Sequence, residues 1–495
     1  MALSSRLAGS IVLDAAEAAE RPASDSPASR TPQREWAESD AAAAHAWNPR
    51  GTGLTSRRLP FPVLLAAPGD GAAALRSAAA HNARNGFGSL RLYHARLDHA
   101  MTARGDAATC LQAATCLPLG GYSAFAALPA APPSSAPAPR LLLVTAALDA
   151  AAFFHERAVG ADAALSGLVV MLAAADALSR LPPLPAPPAR RLAFAALAGE
   201  PWGYLGTRML AAQLAGGAHP AGVAAQDADV LELGALGCDV EPGAPVQLYA
   251  HAAGAAGAPM AAALAAASGS GAGLRVSPAT ATATADTGQS LPPSGLRALR
   301  RRHAAWGGVV LSDYDASYGN ANAGSRFDDQ RPVPAALAAA ADVIAAALHA
   351  LAAGGAARSP QPPAGGRAAT LRRVEALMVR ACCVRKRCAS PALIRAPMCR
   401  AAQACLLPVR RSDVAEGGPP VFDPGLACPL AKEVGAPIPG ARAPNAAAAL
   451  AAAAPSYYVG ALQRVSFGQE LAGKVRCKGH CYGCVCFLLS WLPYD

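Results

Sequence analysis

Asp149, Glu200 and Asp313 each follow directly on an apolar run: LLLVTAAL before the first, LAFAALAG before the second, GVVLS before the third. A carboxylate at the tip of a buried strand can take a proton as a general base or help to hold a divalent ion. It can also pair with a free α-amino group, a charge-assisted contact of about 1.5–3 kcal/mol when shielded from water. The structural alternative is an acid that favours the start of the next helix through its dipole. Trp202 and Tyr204 follow Glu200 closely and could line a cleft or pack at its rim. Asp328 and Asp329, after Phe327, read as residues that cap or flank a helix start.

The 13 cysteines offer a second kind of chemistry. Cys110 and Cys116 would close a short loop that an oxidising compartment could bridge and a reducing one would leave as thiols. Ten of the others follow residue 380, and Cys477, Cys481, Cys484 and Cys486 surround His480. That set has enough ligands for zinc but lacks the second Cys-x-x-Cys pair of a zinc ribbon.

The elements that must position the acids are legible as an alternation. Leu141–Leu148 and Leu192–Ala198 are continuous apolar runs, as expected of strands buried on both faces. Between them Leu165, Leu168, Val169, Leu172 and Leu178 recur at helical spacing. A second helix is expected over 204–214, further strands over 245–253 and 307–313, and a long alanine-rich helix over 334–353 with proline at its start. The fold class this predicts is α/β: a mostly parallel mixed sheet with helices on both faces. In such sheets functional groups gather beyond the carboxyl ends of the strands, where the three acids fall.

Around this core the organisation expected is a disordered segment over 1–46, a small N-terminal lobe over 47–128, a large lobe over 129–375 and a Cys-rich region over 376–495. Residues 129–139, 181–189, 266–290 and 355–366 are rich in Pro, Ser, Gly and Ala and read as surface loops or linkers. The net charge of +10 does not point to nucleic acid. The basic groups, including Arg297, Arg300, Arg301 and Arg302, lack interleaved stacking aromatics and read as solvated faces. Residues 1–13 make a poor signal peptide, no run approaches the roughly 20 apolar residues that span a bilayer, and there is no Asn-x-Ser/Thr sequon, so the chain as written reads as soluble.

A series of segments carries a more specific signal. VTAALDAAAFF (144–154), GADAALSGLVVMLAAADAL (160–178), LAGEPWGYLGTRML (197–210), LELGALG (231–237), LPPSGLRAL (291–299) and VVLSDYDASYGNANAGSRFDD (309–329) resemble the nicastrin family, in order and at fitting separations. WNPRGTGLTSRRLPFPVLL (47–65) and CLPLGGYSAFAAL (116–128) extend the likeness upstream, so that it covers about residues 47 to 350. The resemblance implies a large lobe similar to two-zinc aminopeptidases and a subunit of γ-secretase, with presenilin and the other small membrane subunits as partners and membrane-protein stubs as substrates. It also implies a membrane-anchored protein with a lumenal or extracellular ectodomain.

Placed on the aminopeptidase pattern, the ligand positions of this chain are largely empty of ligands. The first His-x-Asp pair falls on Ala147 and Asp149, the bridging aspartate on Ala163 with Asp162 one residue away, the Glu-Glu pair on Glu200 and Pro201, and the closing histidine near Gly324. A one-residue slip at a helix start turns a side chain by about 100°. Glu200 therefore has the type of a general base without a metal to serve, and no cofactor is expected. In the family's Asp-Tyr-Ile-Gly-Ser segment this chain has Gly203-Tyr204-Leu205-Gly206-Thr207, so a carboxylate is lost there too. These departures favour a non-catalytic lobe that selects substrates sterically, with Glu200, Tyr204, Asp149 and Trp202 as candidate contacts. The alternatives are a soluble zinc aminopeptidase with rearranged ligands and a soluble interaction module.

Overall fold

The computed structural model describes residues 10–13, 45–51, 63–66, 70–85, 93–94, 123–128, 140–154, 158–184, 188–201, 203–216, 228–237, 246–269, 273–280, 291–329, 332–355, 365–384, 462–466 and 485–489. In chain order the strands are β1 (Ser10–Leu13), β2 (Val63–Ala66), β3 (Ala124–Leu128), β4 (Arg140–Ala147), β5 (Arg190–Leu197), β6 (Ala228–Leu233), β7 (Val246–Ala253), β8 (Leu274–Pro278), β9 (Gly307–Ser312), β10 (Leu462–Ser466) and β11 (Val485–Leu489). The helices are α1 (Asp70–Asn85), α2 (a π-turn over Ala161–Ser166 that runs into Gly167–Leu178), α3 (Leu205–Ala215), α4 (Gly257–Ser268), α5 (Gly295–Arg302), α6 (Pro334–Ala352) and α7 (Gly366–Val384).

Seven strands form the central sheet in the order β3-β5-β4-β6-β9-β7-β8. The pairs β4–β5, β4–β6, β6–β9 and β7–β8 are parallel, whereas β3–β5 and β7–β9 are antiparallel. The sheet is therefore mixed and mostly parallel, as expected. Strands buried on both faces read as unbroken apolar runs, and β4 divides its side chains accordingly. Leu142, Val144 and Ala146 join a core with α2, α4, α6 and α7, whereas Leu141 and Leu143 join a second core with α3 and α5.

Small residues set how closely these layers approach. A Cβ on Gly167 would lie 2.6 Å from the carbonyl oxygen of Leu233, so α2 rests directly on the backbone of β6. Helices α2 and α6 are long and apolar enough to cross a membrane by length and composition, a point the sequence reading did not anticipate. Here both are mostly buried in the core against the sheet. At the amino end of the strands, Asp229 takes a contact of 2.7 Å from Arg140 Nε and one of 2.8 Å from Arg190 Nε, tying β6 to β4 and β5.

Several expectations change. Ser10–Leu13, within the segment read as disordered, is a strand that pairs in parallel with Val63–Ala66. The stretch 266–290, read as a loop, contains β8, whose Val276 N donates to Ser268 Oγ at the end of α4. A short strand with only Leu274 and Val276 buried leaves too little periodicity to find. Arg297, expected on a solvated face, is 2% exposed, because α5 lays that side against the sheet. Trp202, Cys110, Cys116 and the side chains of the late cysteine cluster lie outside the described residues.

The pairing of β9 beside β6 tests how tightly the centre is fitted. Gly308 has φ of +154°, and a Cβ there would sit 1.8 Å from Val230 O. Gly308→Ala is expected to cost more than about 3 kcal/mol, measured by chemical unfolding. Gly355→Ala, at a positive φ with open space around it, is expected to cost only about 1 kcal/mol.

Candidate functional site

The exits of β4, β5, β6 and β9 bring the acids to one edge of the sheet. The carboxylates of Asp149, Glu200 and Glu232 there are engaged by backbone or hydroxyl donors of a neighbouring element. Asp149 accepts from Gly199 N at 2.7 Å and Glu200 N at 3.3 Å, and so holds the turn by which the chain leaves β5. Glu200 in turn accepts from Thr207 N at 2.8 Å and Thr207 Oγ1 at 2.7 Å. Thr207 stands in the first turn of α3, whose amides have no partner within the helix. Glu200 thus acts as a helix N-terminal acid supplied from seven residues upstream.

Two residues that the sequence reading did not single out complete this corner. Glu232, near the end of β6, accepts from Gly295 N at 2.8 Å and Leu296 N at 2.6 Å, capping α5. A Cβ on Gly295 would meet Thr207 Oγ1 at 2.6 Å and Glu200 Oε2 at 3.3 Å, so the starts of α3 and α5 touch. The available signal was a charge inside an apolar strand, Val-Leu-Glu-Leu, which is costly to bury without donors. Burial, with Glu232 and then Asp149 close by, pushes the Glu200 carboxyl up to about 8 against the pull of Thr207. Burial likewise pushes Glu232 up to about 7, opposed by the amides of Leu296 and Gly295.

Tyr204 is half-buried and is the one described non-glycine residue at positive φ (54°), immediately before α3. Burial, then Tyr318, Glu232 and Glu200, raise its phenol well above the ordinary range, with Arg297 opposing. The candidates Asp149, Glu200 and Tyr204 therefore come together, around an acid the sequence reading missed.

Asp162 lies in the π-turn that opens α2, a turn that holds one residue more than an α-turn. Asp162 is fully buried, accepts from Gly237 N at 3.1 Å and lies 3.4 Å from Asn320 Nδ2. Burial, with Asp313 and Asp328 nearby, raises its carboxyl well above the ordinary range. Asp328 takes the amides of Asp162 and Ala163, both at 3.1 Å, and so caps α2 from the far end of the chain segment.

These commitments decide whether the set fits a pair of metal ions. The carboxylate oxygens of Asp149, Glu200, Asp162 and Asp328 point at N–H or O–H donors, and the other family ligand positions are alanine, proline and glycine. Among the described residues no three His, Cys, Asp or Glu side chains are arranged to hold a metal ion. Such a donor set, without imidazole, does not fit two zinc ions. A serine–histidine pair also fails on geometry. His251 Nε2 lies 3.0 Å from both Ser312 Oγ and Tyr314 O, and Ser312 Oγ itself donates to Tyr314 O at 2.8 Å. A nitrogen facing a carbonyl must carry the proton, so it cannot take one from Ser312. Both residues are fully buried, and burial lowers the imidazole to about 4.

Comparison with known proteins follows the same line. Family profiles described as nicastrin large lobe and nicastrin small lobe match residues 140–353 and 1–103. The chain belongs to the nicastrin family. The nicastrin of Arabidopsis thaliana is 30% identical over 358 residues, covering 70% of this chain and 52% of that protein. The nicastrin of Dictyostelium discoideum is 31% identical over 161 residues, covering 32% of this chain and 23% of that protein. This nicastrin-family chain thus spans about half the length of the first of these relatives. A crystal structure of the γ-secretase component nicastrin aligns with a TM-score of 0.52 at 20% identity, covering 74% of this chain and 65% of that one, which establishes the shared fold.

Two outcomes follow from the charge arrangement. Glu200 and Glu232 have raised folded-state values, so their contribution to stability is full below about pH 4.5 and is lost as pH rises to about 7 and 8. His251 works oppositely, losing stability as pH falls from about 6.5 to 4. Unfolding measured between pH 6 and 8.5 should show declining stability, and Glu200→Gln should flatten the decline. Full-length protein incubated with zinc and desalted is expected to retain the same amount of metal, measured by elemental analysis, whether or not Asp149, Asp162 and Glu200 are replaced by their amides.

Proposed function

We propose that this chain is a non-catalytic subunit of a γ-secretase complex, assembling with presenilin and the small membrane subunits and selecting membrane-protein stubs by the size of their ectodomains. The observation that carries this reading is the commitment of the cleft acids to amide and hydroxyl donors of α2, α3 and α5. Among the described residues the acids so held form no group of three metal ligands, which supports a lobe that seats or refuses a polypeptide rather than one that cuts it. Family membership supports the assignment to the complex, and with it a membrane-associated setting in which the lobe faces the lumen or the cell exterior.

Selection by size fits the geometry better than selection by charge. Both oxygens of Glu200 already accept hydrogen bonds from Thr207, and the residue is 8% exposed. A substrate ammonium would have to reach a carboxylate that burial already biases toward its neutral form. A bulky ectodomain needs no such contact to be excluded; it meets the lobe and cannot approach further. Asp149 and Tyr204 enter this reading as residues beside Glu200 at the carboxyl edge of the sheet.

The test is genetic restoration. Cells lacking the endogenous gene, then supplied with it again, should recover assembled complex and cleavage of a short-ectodomain stub. Appending a folded domain to that stub should lower cleavage at least tenfold. Assembly and cleavage that are indifferent to the gene would overturn the proposal.

A further inference from the structure

Helix α7 packs on α2 and α6. It follows residues 355–365, a stretch rich in Pro and Gly, and stands beyond residue 353, where the match to the large-lobe profile ends. Among its described side chains Thr370, Val374, Leu377 and Met378 are buried, and they recur at helical spacing as one narrow stripe. Arg367, Ala368, Arg372 and Glu375 are exposed. Helix α6, by contrast, is buried on nearly every side. One stripe therefore holds α7, and lifting it would leave the sheet still covered by α2 and α6.

The polar member of that stripe joins three helices. Arg180 Nη2, just past the end of α2, donates to Thr370 Oγ1 at 2.8 Å, and the Thr370 hydroxyl donates to Asp342 Oδ1 on α6 at 2.6 Å. Arg180 also pairs with Asp176, one turn back on α2. Thr370 is fully buried, so its hydroxyl has no water to turn to while α7 is docked.

This relay comes apart without stranding any of its members. Gly366 O, on the same helix as Thr370, lies 3.1 Å from Thr370 Oγ1. The hydroxyl has one proton, so it serves Asp342 or Gly366 but not both. When α7 lifts, the hydroxyl turns to Gly366, the carbonyl four residues back that a threonine inside a helix can reach. Arg180 and Asp342 already bond to the same oxygen, so they lie no further apart than those two bonds laid end to end and can close on each other as an ion pair. Both are only half-buried, so water reaches them as well. Breaking a buried polar contact is costly chiefly because it leaves a partner unsatisfied. Here each partner has a replacement at hand.

We propose that α7 is a releasable strap: it docks on α2 and α6 through the Thr370 hydroxyl and lifts off as a unit while the seven-stranded sheet and α6 stay folded. Release bares the side of α2 and α6 that α7 covers. The strap does not rest on membership of any complex, so it and the proposed function can fail separately.

Hydrogen–deuterium exchange of the full chain, read by peptide mass spectrometry, tests it. In the unaltered protein the amides of residues 370–378 should exchange at least about tenfold faster than those of 340–350, because lifting one helix costs less than unfolding the lobe. Thr370→Val keeps the shape and removes the hydroxyl. It should speed exchange over 370–378 by a further factor of about ten and leave 340–350 within about twofold. Thr370→Ser, which keeps the relay, should stay within about twofold of the unaltered protein over 370–378. Should Thr370→Val fail to fold, Leu371→Ala, which trims a partly buried contact beside the stripe, should still speed 370–378 and spare 340–350. Equal exchange of the two segments in the unaltered protein would overturn the strap, since α7 would then leave only with global unfolding. So would a folded Thr370→Val variant whose α7 exchanges at the unaltered rate, or one in which both segments speed up alike.

Discussion

A carboxylate withdrawn from water must find donors, and the donors nearest to hand in this molecule are the first amides of helices. Four acids at the carboxyl edge of the sheet obey that constraint in four versions. Asp149 takes the turn amides at 199 and 200, Glu200 takes Thr207 on α3, Glu232 takes α5, and Asp328 takes α2. Each of these contacts joins segments separated in sequence, so together they lock the strand exits to the helices that flank them. The same contacts turn both oxygens of Asp149, Glu200 and Glu232 toward the amides and hydroxyl at the turn and helix starts. The carboxyl edge of the sheet is in this way tied to the helices beside it.

Crowding the acids together has its own cost, visible in how Glu200, Glu232 and Asp162 are all pushed toward their neutral forms. The repulsion is tolerated because the layers behind it are tightly built. Alanine and glycine let α2 and α6 lie close to the sheet and to each other, and the resulting core carries many small contacts rather than a few large aromatic ones. Composition that would otherwise suggest low complexity becomes, at the right period, a means of bringing backbones together. One group of rings gathers around Trp47, where residues 45–51 meet the loop after β9 and His251, Tyr314 and Tyr318 surround the indole.

The apolar runs at 141–148 and 192–198 named the two central strands, because runs of that length are too short for a buried helix and match strands buried on both faces. The positions of Asp149, Glu200 and Asp313 at strand exits followed from those runs. What could not be read were the elements without a strong period: β8, α4 and the short α5, whose Arg297 looks solvated in sequence and is buried in space. The offset at Asp162 was visible as a number, but the π-turn that holds the residue was not. That turn follows Gly160 at φ 59° and takes the Asp328 cap, both set by packing.

The sequence by itself determined the alternation of strands and helices, the edge at which the acids emerge, and the absence of histidine from the ligand positions, because each depends on residue type along the chain. Only the tertiary structure decided what the acids do. Donors for Glu200 lie seven residues on, those for Glu232 lie 63 and 64 residues on, and those for Asp162 lie 75 and 158 residues on. The fate of a buried charge is fixed by whichever amides the folded chain brings within 3 Å, and linear spacing does not record that.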